Sequence, residues 1–222
     1  MEQVTKKIER WFQTFTGKLV DAEHPTPDMV DIQDIAHALS MTCRYGGHCR
    51  EFYSVAEHSV HVEELGFKLL IPELQLRHSQ STDIIKELAE LRLAFLLHDA
   101  AEAYTGDIIS PVKKLLAPQS TELEDKWLAA IQEKFHLGNQ LTLTTPVSPT
   151  ADKLALSVEV LSLFYPVLPE WWTKFPVPTC DQFFPVECWP PHVARQKFLD
   201  HFYEIQENLG NSRTTFSTKP QP

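Results

Sequence analysis

Four residues have side chains suited to holding a divalent ion: His58, His98, Asp99 and Asp152. His98-Asp99 follows directly on the apolar run Leu93 to Leu97, which puts an imidazole and a carboxylate side by side at the mouth of a core. Taken alone, that dipeptide reads sooner as an N-cap aspartate beside a surface histidine than as a ligand pair. Its context changes the reading. His58 lies in the small and apolar run Ser54-Val55-Ala56-Glu57-His58-Ser59-Val60, and Asp152 opens another in Thr150-Ala151-Asp152-Lys153-Leu154. Two imidazoles and two carboxylates drawn from three helices form a mixed nitrogen and oxygen set. Such a set suits Mn²⁺, Fe²⁺, Co²⁺, Ni²⁺ or Zn²⁺ and leaves coordination positions for water and substrate.

The elements that must position these residues follow from periodicity. Val4, Ile8, Trp11, Phe12 and Phe15 share one face of a predicted amphipathic helix over residues 1–15, too charged to be a secretory leader. Gly17, Pro25 and Pro27 break the chain after it. A helix over Asp31 to Ser40 buries Ile32, Ile35, Ala36 and Leu39, and a Gly-containing loop spans Thr42 to Tyr53. Ser54 with Glu57 reads as a capping box opening a helix through His58 to Leu70. A polar connection to Thr82 leads into a helix from Asp83 to Tyr104, punctuated by Gly106. Pro111 suits the first turn of a short helix carrying Val112, Leu115 and Leu116. Further helices are expected over Thr121 to Phe135, Thr150 to Tyr165 and His192 to Leu209, with residues 210–222 a disordered tail. Phe164 to Pro191 holds seven of the 16 prolines and eight of the 23 aromatic residues, which predicts an ordered, helix-poor cover. No strand ladder is expected, so the fold class is all-α.

Composition narrows the function classes. With 222 residues and 25.5 kDa the chain suits one domain, placed at residues 1–209. A net charge of −10 and a pI near 5.4 argue against a surface built for duplex nucleic acid. No apolar run approaches the roughly 20 residues of a membrane span, so a soluble, cytoplasmic protein is expected. Four cysteines without a CxxC pair are expected to be free thiols.

The ordered motifs resemble the HD-domain metal-dependent phosphohydrolases, in particular small nucleotide hydrolases: bacterial 5′-deoxynucleotidases and phage dATP triphosphohydrolases. The resemblance rests on Ile35-Ala36-His37-Ala38-Leu39, Arg44-Tyr45-Gly46-Gly47-His48 and Tyr53-Ser54-Val55-Ala56-Glu57-His58. It continues through Leu97-His98-Asp99-Ala100-Ala101-Glu102-Ala103-Tyr104-Thr105-Gly106-Asp107-Ile108 and covers about residues 31–163. It implies a helical bundle with His58, His98, Asp99 and Asp152 on the metal, Mg²⁺ as a candidate second ion, and Glu102 and Asp107 as catalytic carboxylates. Glu102 lies one turn after Asp99, within reach of the metal-activated water. In the resembling nucleotidases an arginine at the place of Arg44 contacts the substrate phosphate, and its planar fork suits that role. Tyr45, His48, Lys113 and Lys114 are the further substrate-contact candidates, the lysines as partners of a polyphosphate. His37 and His61 are candidates for an outer shell.

The implied reaction converts dATP, or another dNTP, to a deoxynucleoside and triphosphate. The alternatives are a 5′-deoxynucleotidase releasing orthophosphate from dNMPs, and a degenerate nucleotide-binding or structural module. The implied partners are the nucleotide and further copies of the chain, as a dimer or hexamer, in the cytoplasm or, for a phage-encoded protein, the host cytoplasm. Residues 71–83 look like an insertion relative to the smallest family members, and residues 1–15 and 164–191 lie outside the resemblance.

Overall fold

A computed structural model describes residues 10–77, 82–137, 147–166, 170, 173 and 175–214, with the backbone alone described for 71–77, 82–85, 147–149 and 211–214. It is a helical bundle with one small two-stranded ribbon, in agreement with the all-α expectation. The ribbon comes first. β1 (Trp11–Gln13) pairs antiparallel with β2 (Leu19–Asp21), Phe12 opposite Val20. This corrects the helix expected over residues 1–15 and the absence of strands; residues 1–9 of that helix lie outside the described residues. Nonlocal pairing outweighs helical spacing here. Thr14 N donates to Lys18 O, Gly17 turns the chain with φ 89°, and Val20 is fully buried while Phe12 packs on the core.

α1 (Ile32–Met41) starts as expected: the Asp31 side chain accepts from Gln33 N at 2.9 Å, and Ile35, Ala36 and Leu39 are fully buried. A 3₁₀ turn (Arg44–Gly47) holds Tyr45 and Gly46 at φ 60°, and bridge pairing of Cys43 with Ser54 closes the loop around it. α2 (Val55–Arg77) runs seven residues past Leu70, into the expected polar connection. α3 (Thr82–Leu96) ends well before Tyr104. The bonds after it tighten from four residues back to three, with Ala100 N to Leu97 O and Glu102 N to Asp99 O both at 3.0 Å. A separate turn of helix, α4 (Glu102–Thr105), follows. The expected single helix is thus broken where His98 and Asp99 lie, which turns both side chains off the helix axis.

α5 (Ser110–Leu116) has Pro111 in its first turn, and its Leu115 is 83% exposed. α6 (Gln119–Phe135) buries Trp127 and Ile131; the Trp127 indole lies flat on Tyr104, with ring centroids 3.8 Å apart, and donates to Ala22 O. α7 (Val147–Leu163) and α8 (Pro191–Thr214) complete the bundle, and α8 continues five residues into the expected tail. Residues 215–222 of that tail and Trp171-Trp172 lie outside the described residues. Between α7 and α8 the described residues are helix-poor, as expected, with one 3₁₀ turn (Cys180–Gln182).

α2 is the central element, packed against α1, α3, α7 and α8. One apolar cluster joins Leu39, Val60, Leu97, Trp127 and Phe198, and a second joins Val62, Leu65, Phe95 and Leu154. The first turn of α2 therefore lies where the break after α3 and the start of α7 converge.

Candidate metal centre

His58 is fully buried on the first turn of α2, and its Nε2 lies 3.3 Å from His98 Nε2. Asp99 Oδ2 is 3.1 Å from His98 Nε2 and 3.5 Å from His58 Nε2. Asp152 Oδ1, from α7, is 3.3 Å from His58 Nε2. All four expected ligands meet. His58, His98 and Asp99 form the tight core, with one donor atom each within 4.8 Å of one another, and Asp152 adjoins it through His58.

The opposite ring edges explain why these atoms face inward. His58 Nδ1 lies 2.6 Å from Glu159 Oε1, and His98 Nδ1 lies 2.8 Å from the Phe95 carbonyl oxygen. With a proton on each Nδ1 donated outward, each Nε2 would turn its lone pair to the centre. Two imidazole nitrogens 3.3 Å apart beside carboxylates could hold a cation between them. The donor set fits a divalent ion. In its absence a proton serves: burial and Arg44 work against charge on His58, yet Glu159 and Asp152 prevail and raise its pKa to about 9.

Glu159 went unnoticed in the sequence. It is fully buried on α7, seven residues after Asp152 and so two turns along the same face. Its Oε2 accepts from the Tyr45 hydroxyl at 2.5 Å, and its Oε1 accepts from the Tyr53 hydroxyl at 3.0 Å as well as meeting His58. Burial opposes its ionisation, but the His58 and Arg44 charges hold its carboxyl far below the usual range. The available signal was a lone acid in the run Leu154-Ala155-Leu156-Ser157-Val158-Glu159-Val160-Leu161.

Arg44 stands beside the core. Its Nη1 is 3.4 Å from Asp99 Oδ2 and its Nε is 3.3 Å from Glu159 Oε2, the latter without hydrogen-bond alignment. Burial opposes the charge on both Asp99 and Asp152; His98 and His58 outweigh it and lower both carboxyls. Two further acids behave oppositely. Glu102 is pushed well up by burial and by the charges of Asp99 and Asp107, and its buried Oε2 has no hydrogen-bond partner among the described residues. Asp107 is also raised, by burial first and then by Asp99, with Arg44 opposing. Carboxyls held low in the ligand set beside two acids pushed up are an arrangement suited to acid and base work.

The remaining candidates divide. Tyr45 turns its hydroxyl to Glu159 and its ring against Phe164, centroids 5.0 Å apart, so it braces the centre. Lys113 is paired with Glu124, and Lys114 is exposed. His48 is exposed, and no described contact joins it to the ligands. His61 stacks on Phe184 with its nearest acid, Glu57, at 3.7 Å, while His37 stacks on Phe15. Ser54 caps α2 by accepting from Glu57 N at 3.1 Å, but the reciprocal half of the expected capping box is absent. The buried Glu57 carboxylate instead accepts from the backbone N–H groups of Glu187, Cys188 and Trp189 at 2.6 to 3.2 Å.

Among the described residues no helix is long and apolar enough to cross a membrane. No family model matches the chain. It is 39% identical over 129 residues to the uncharacterized protein RCAP_rcc00048 of Rhodobacter capsulatus, spanning 57% of this chain and 59% of that protein. It is also 32% identical over 203 residues to the uncharacterized protein YfdR of Escherichia coli (strain K12), spanning 89% of this chain and 96% of that one, and so belongs to the same family as YfdR.

Proposed function

We propose that the protein is a metal-dependent phosphohydrolase of deoxynucleotides, and that its substrate is a dATP-type triphosphate. The observation that carries this reading is the convergence of His58, His98 and Asp99 next to Glu102, a half-buried acid whose carboxyl is pushed well up by burial and by the charges of Asp99 and Asp107. A divalent ion from the set Mn²⁺, Co²⁺, Zn²⁺, Fe²⁺ or Ni²⁺, held by these three residues and Asp152 with Mg²⁺ as a second ion, supplies Lewis acidity for activating water and polarising the phosphoryl oxygens.

The protein groups carry the rest of the reaction. Arg44 holds Asp99 and offers its remaining N–H groups to a phosphate oxygen. Water adds to the α-phosphorus and the bond to the 5′ oxygen breaks. Glu102, whose proton is favoured by burial and neighbouring charge, gives a proton to that oxygen, and Asp107 orients the water and receives the proton the water loses. The products are a deoxynucleoside and triphosphate. The ion pair of Lys113 with Glu124 favours a second reading, because it withdraws one cation that a polyphosphate would need. In that reading the same groups release orthophosphate from a deoxynucleoside monophosphate. Neither reading involves duplex nucleic acid or a membrane, and both accommodate a homo-oligomer.

The test is an assay over all dNTPs and dNMPs with Mn²⁺ or Co²⁺, resolving triphosphate from orthophosphate. Triphosphate release supports the first reading, and orthophosphate release from monophosphates supports the second. Absence of turnover by metal-loaded protein sinks both and leaves a binding or structural module.

A further inference from the structure

A cleft of about 1100 Å³ opens between α1 and α8 and shares no lining residue with the metal centre. No acidic residue lines it among the described residues, although the chain carries a net charge of −10. Its walls bring together His37 from α1 with His192, Arg195 and Lys197 from α8. Elsewhere Arg44, Arg92 and Lys113 each meet a carboxylate. Arg195 and Lys197 meet none among the described residues. The Arg195 Nη2 donates to Gln33 Oε1 at 2.7 Å and its guanidinium lies 4.7 Å from the Phe15 ring centroid, but its Nε is buried without an acceptor. Lys197 Nζ rests 4.4 Å from the Trp189 ring centroid. The nearby acids are already engaged: Asp34 accepts from Thr16 N and from the Thr16 hydroxyl, and Asp200 accepts from Gln196.

The cleft also has an apolar side. Met41 is 59% exposed and Tyr203 is 47% exposed, both at its wall. Two cations without an acid partner lining one cleft, beside uncovered apolar and aromatic surface, are what an organic anion requires; cations alone would suit any anion, and apolar surface alone any hydrophobe. The volume is generous for a ligand of nucleotide size, since small-molecule pockets run to about 1000 Å³.

We propose that this cleft is a second ligand site, separate from the metal centre, that binds a phosphorylated small molecule carrying an aromatic or apolar group. Arg195 and Lys197 take the phosphate oxygens, and Tyr203 and Met41 take the apolar part. The proposal does not depend on the hydrolase reading.

Calorimetric titration of ATP, and separately of inorganic triphosphate, into the full chain in EDTA at low salt tests it, because no ion then draws the nucleotide to the metal centre. One ATP per chain is expected to bind, at least tenfold more tightly than triphosphate. Arg195→Gln with Lys197→Gln is expected to weaken ATP binding at least tenfold, and the exposed Lys197→Gln alone to weaken it measurably with the fold intact by circular dichroism. No ATP binding to wild type overturns the proposal. So does ATP binding that both variants leave unchanged and Arg44→Gln removes, which would place the nucleotide at the metal centre. Equal affinity for triphosphate overturns the apolar half of the ligand class. A wild-type dimer that neither binds ATP nor survives the double substitution assigns the cleft to a second copy of the chain and overturns the proposal as well.

Discussion

Glu159→Gln removes one charge at nearly constant shape, and its consequences can be worked out group by group. The amide oxygen still accepts from the Tyr53 hydroxyl and from His58 Nδ1, and the Tyr45 hydroxyl can rotate to accept from the amide nitrogen. Arg44 has no such remedy. Its side chain is 11% exposed, and without Glu159 it keeps only Asp99, at 3.4 Å. Removing one partner of a buried ion pair costs about 3–5 kcal/mol, against a total stability of about 5–15 kcal/mol for a domain. With an m-value of about 2.5 kcal/mol/M, the urea midpoint falls by about 1.5 M. Loss of the group that orients a ligating imidazole lowers metal affinity about 10- to 100-fold. Urea unfolding of metal-free protein and calorimetric titration with Mn²⁺ read the two effects separately. Arg44→Met added to Glu159→Gln takes away the stranded charge, so it is expected to restore most of the stability and none of the metal affinity. A Glu159→Gln variant with wild-type midpoint and wild-type Mn²⁺ affinity would refute the brace described here.

Asp99→Ala is expected to abolish Mn²⁺ binding and turnover together, and full activity in that variant removes the proposed centre. Because His58 in metal-free protein holds its proton up to about pH 9, an ion must displace that proton. Metal affinity should rise about tenfold per pH unit between pH 7 and 9, with close to one proton released per ion in calorimetry across buffers; a flat profile counts against the assignment. The same raised value predicts that His58 stabilises metal-free protein below its unfolded value near 6.5 and loses that contribution as pH rises through 9, a change of about 3 kcal/mol readable by urea melts at each pH. Gly66→Ala is expected to destabilise by about 1–3 kcal/mol despite the better helix propensity of alanine, because the added methyl would meet the buried Phe95 ring at 2.5 Å. A Tm equal to or above wild type would show that the ring yields.

Legibility in the sequence followed the range of the interaction concerned. Ile35, Ala36 and Leu39 are spaced by their own helix, and their burial was readable. That His58, His98, Asp99 and Asp152 come together was readable because residue types able to bind metal are chemically conspicuous in apolar runs before any partner is known. Trp11 to Gln13 read as helix because nothing nearby announces the strand at Leu19 to Asp21. Glu159 escaped because its meaning lies in His58, 101 positions away, and in two hydroxyls from a loop. Glu57 was assigned to its own helix end, as local rules require, whereas its carboxylate is held by a backbone segment 130 positions later.

That last contact bears on how the molecule is made. Trp189 N reaches Glu57 across 132 residues, and Glu57 is the residue before His58. During synthesis the segment bearing His58 leaves the ribosome long before the residues that satisfy its neighbour's buried charge. Contacts of such sequence separation form late, after the entropy of closing a long loop has been overcome. A nascent chain that ends before Glu187 therefore carries all four candidate ligand residues yet leaves the Glu57 carboxylate without its donors, so the first turn of α2 is fully satisfied only once the last part of the polypeptide has been made.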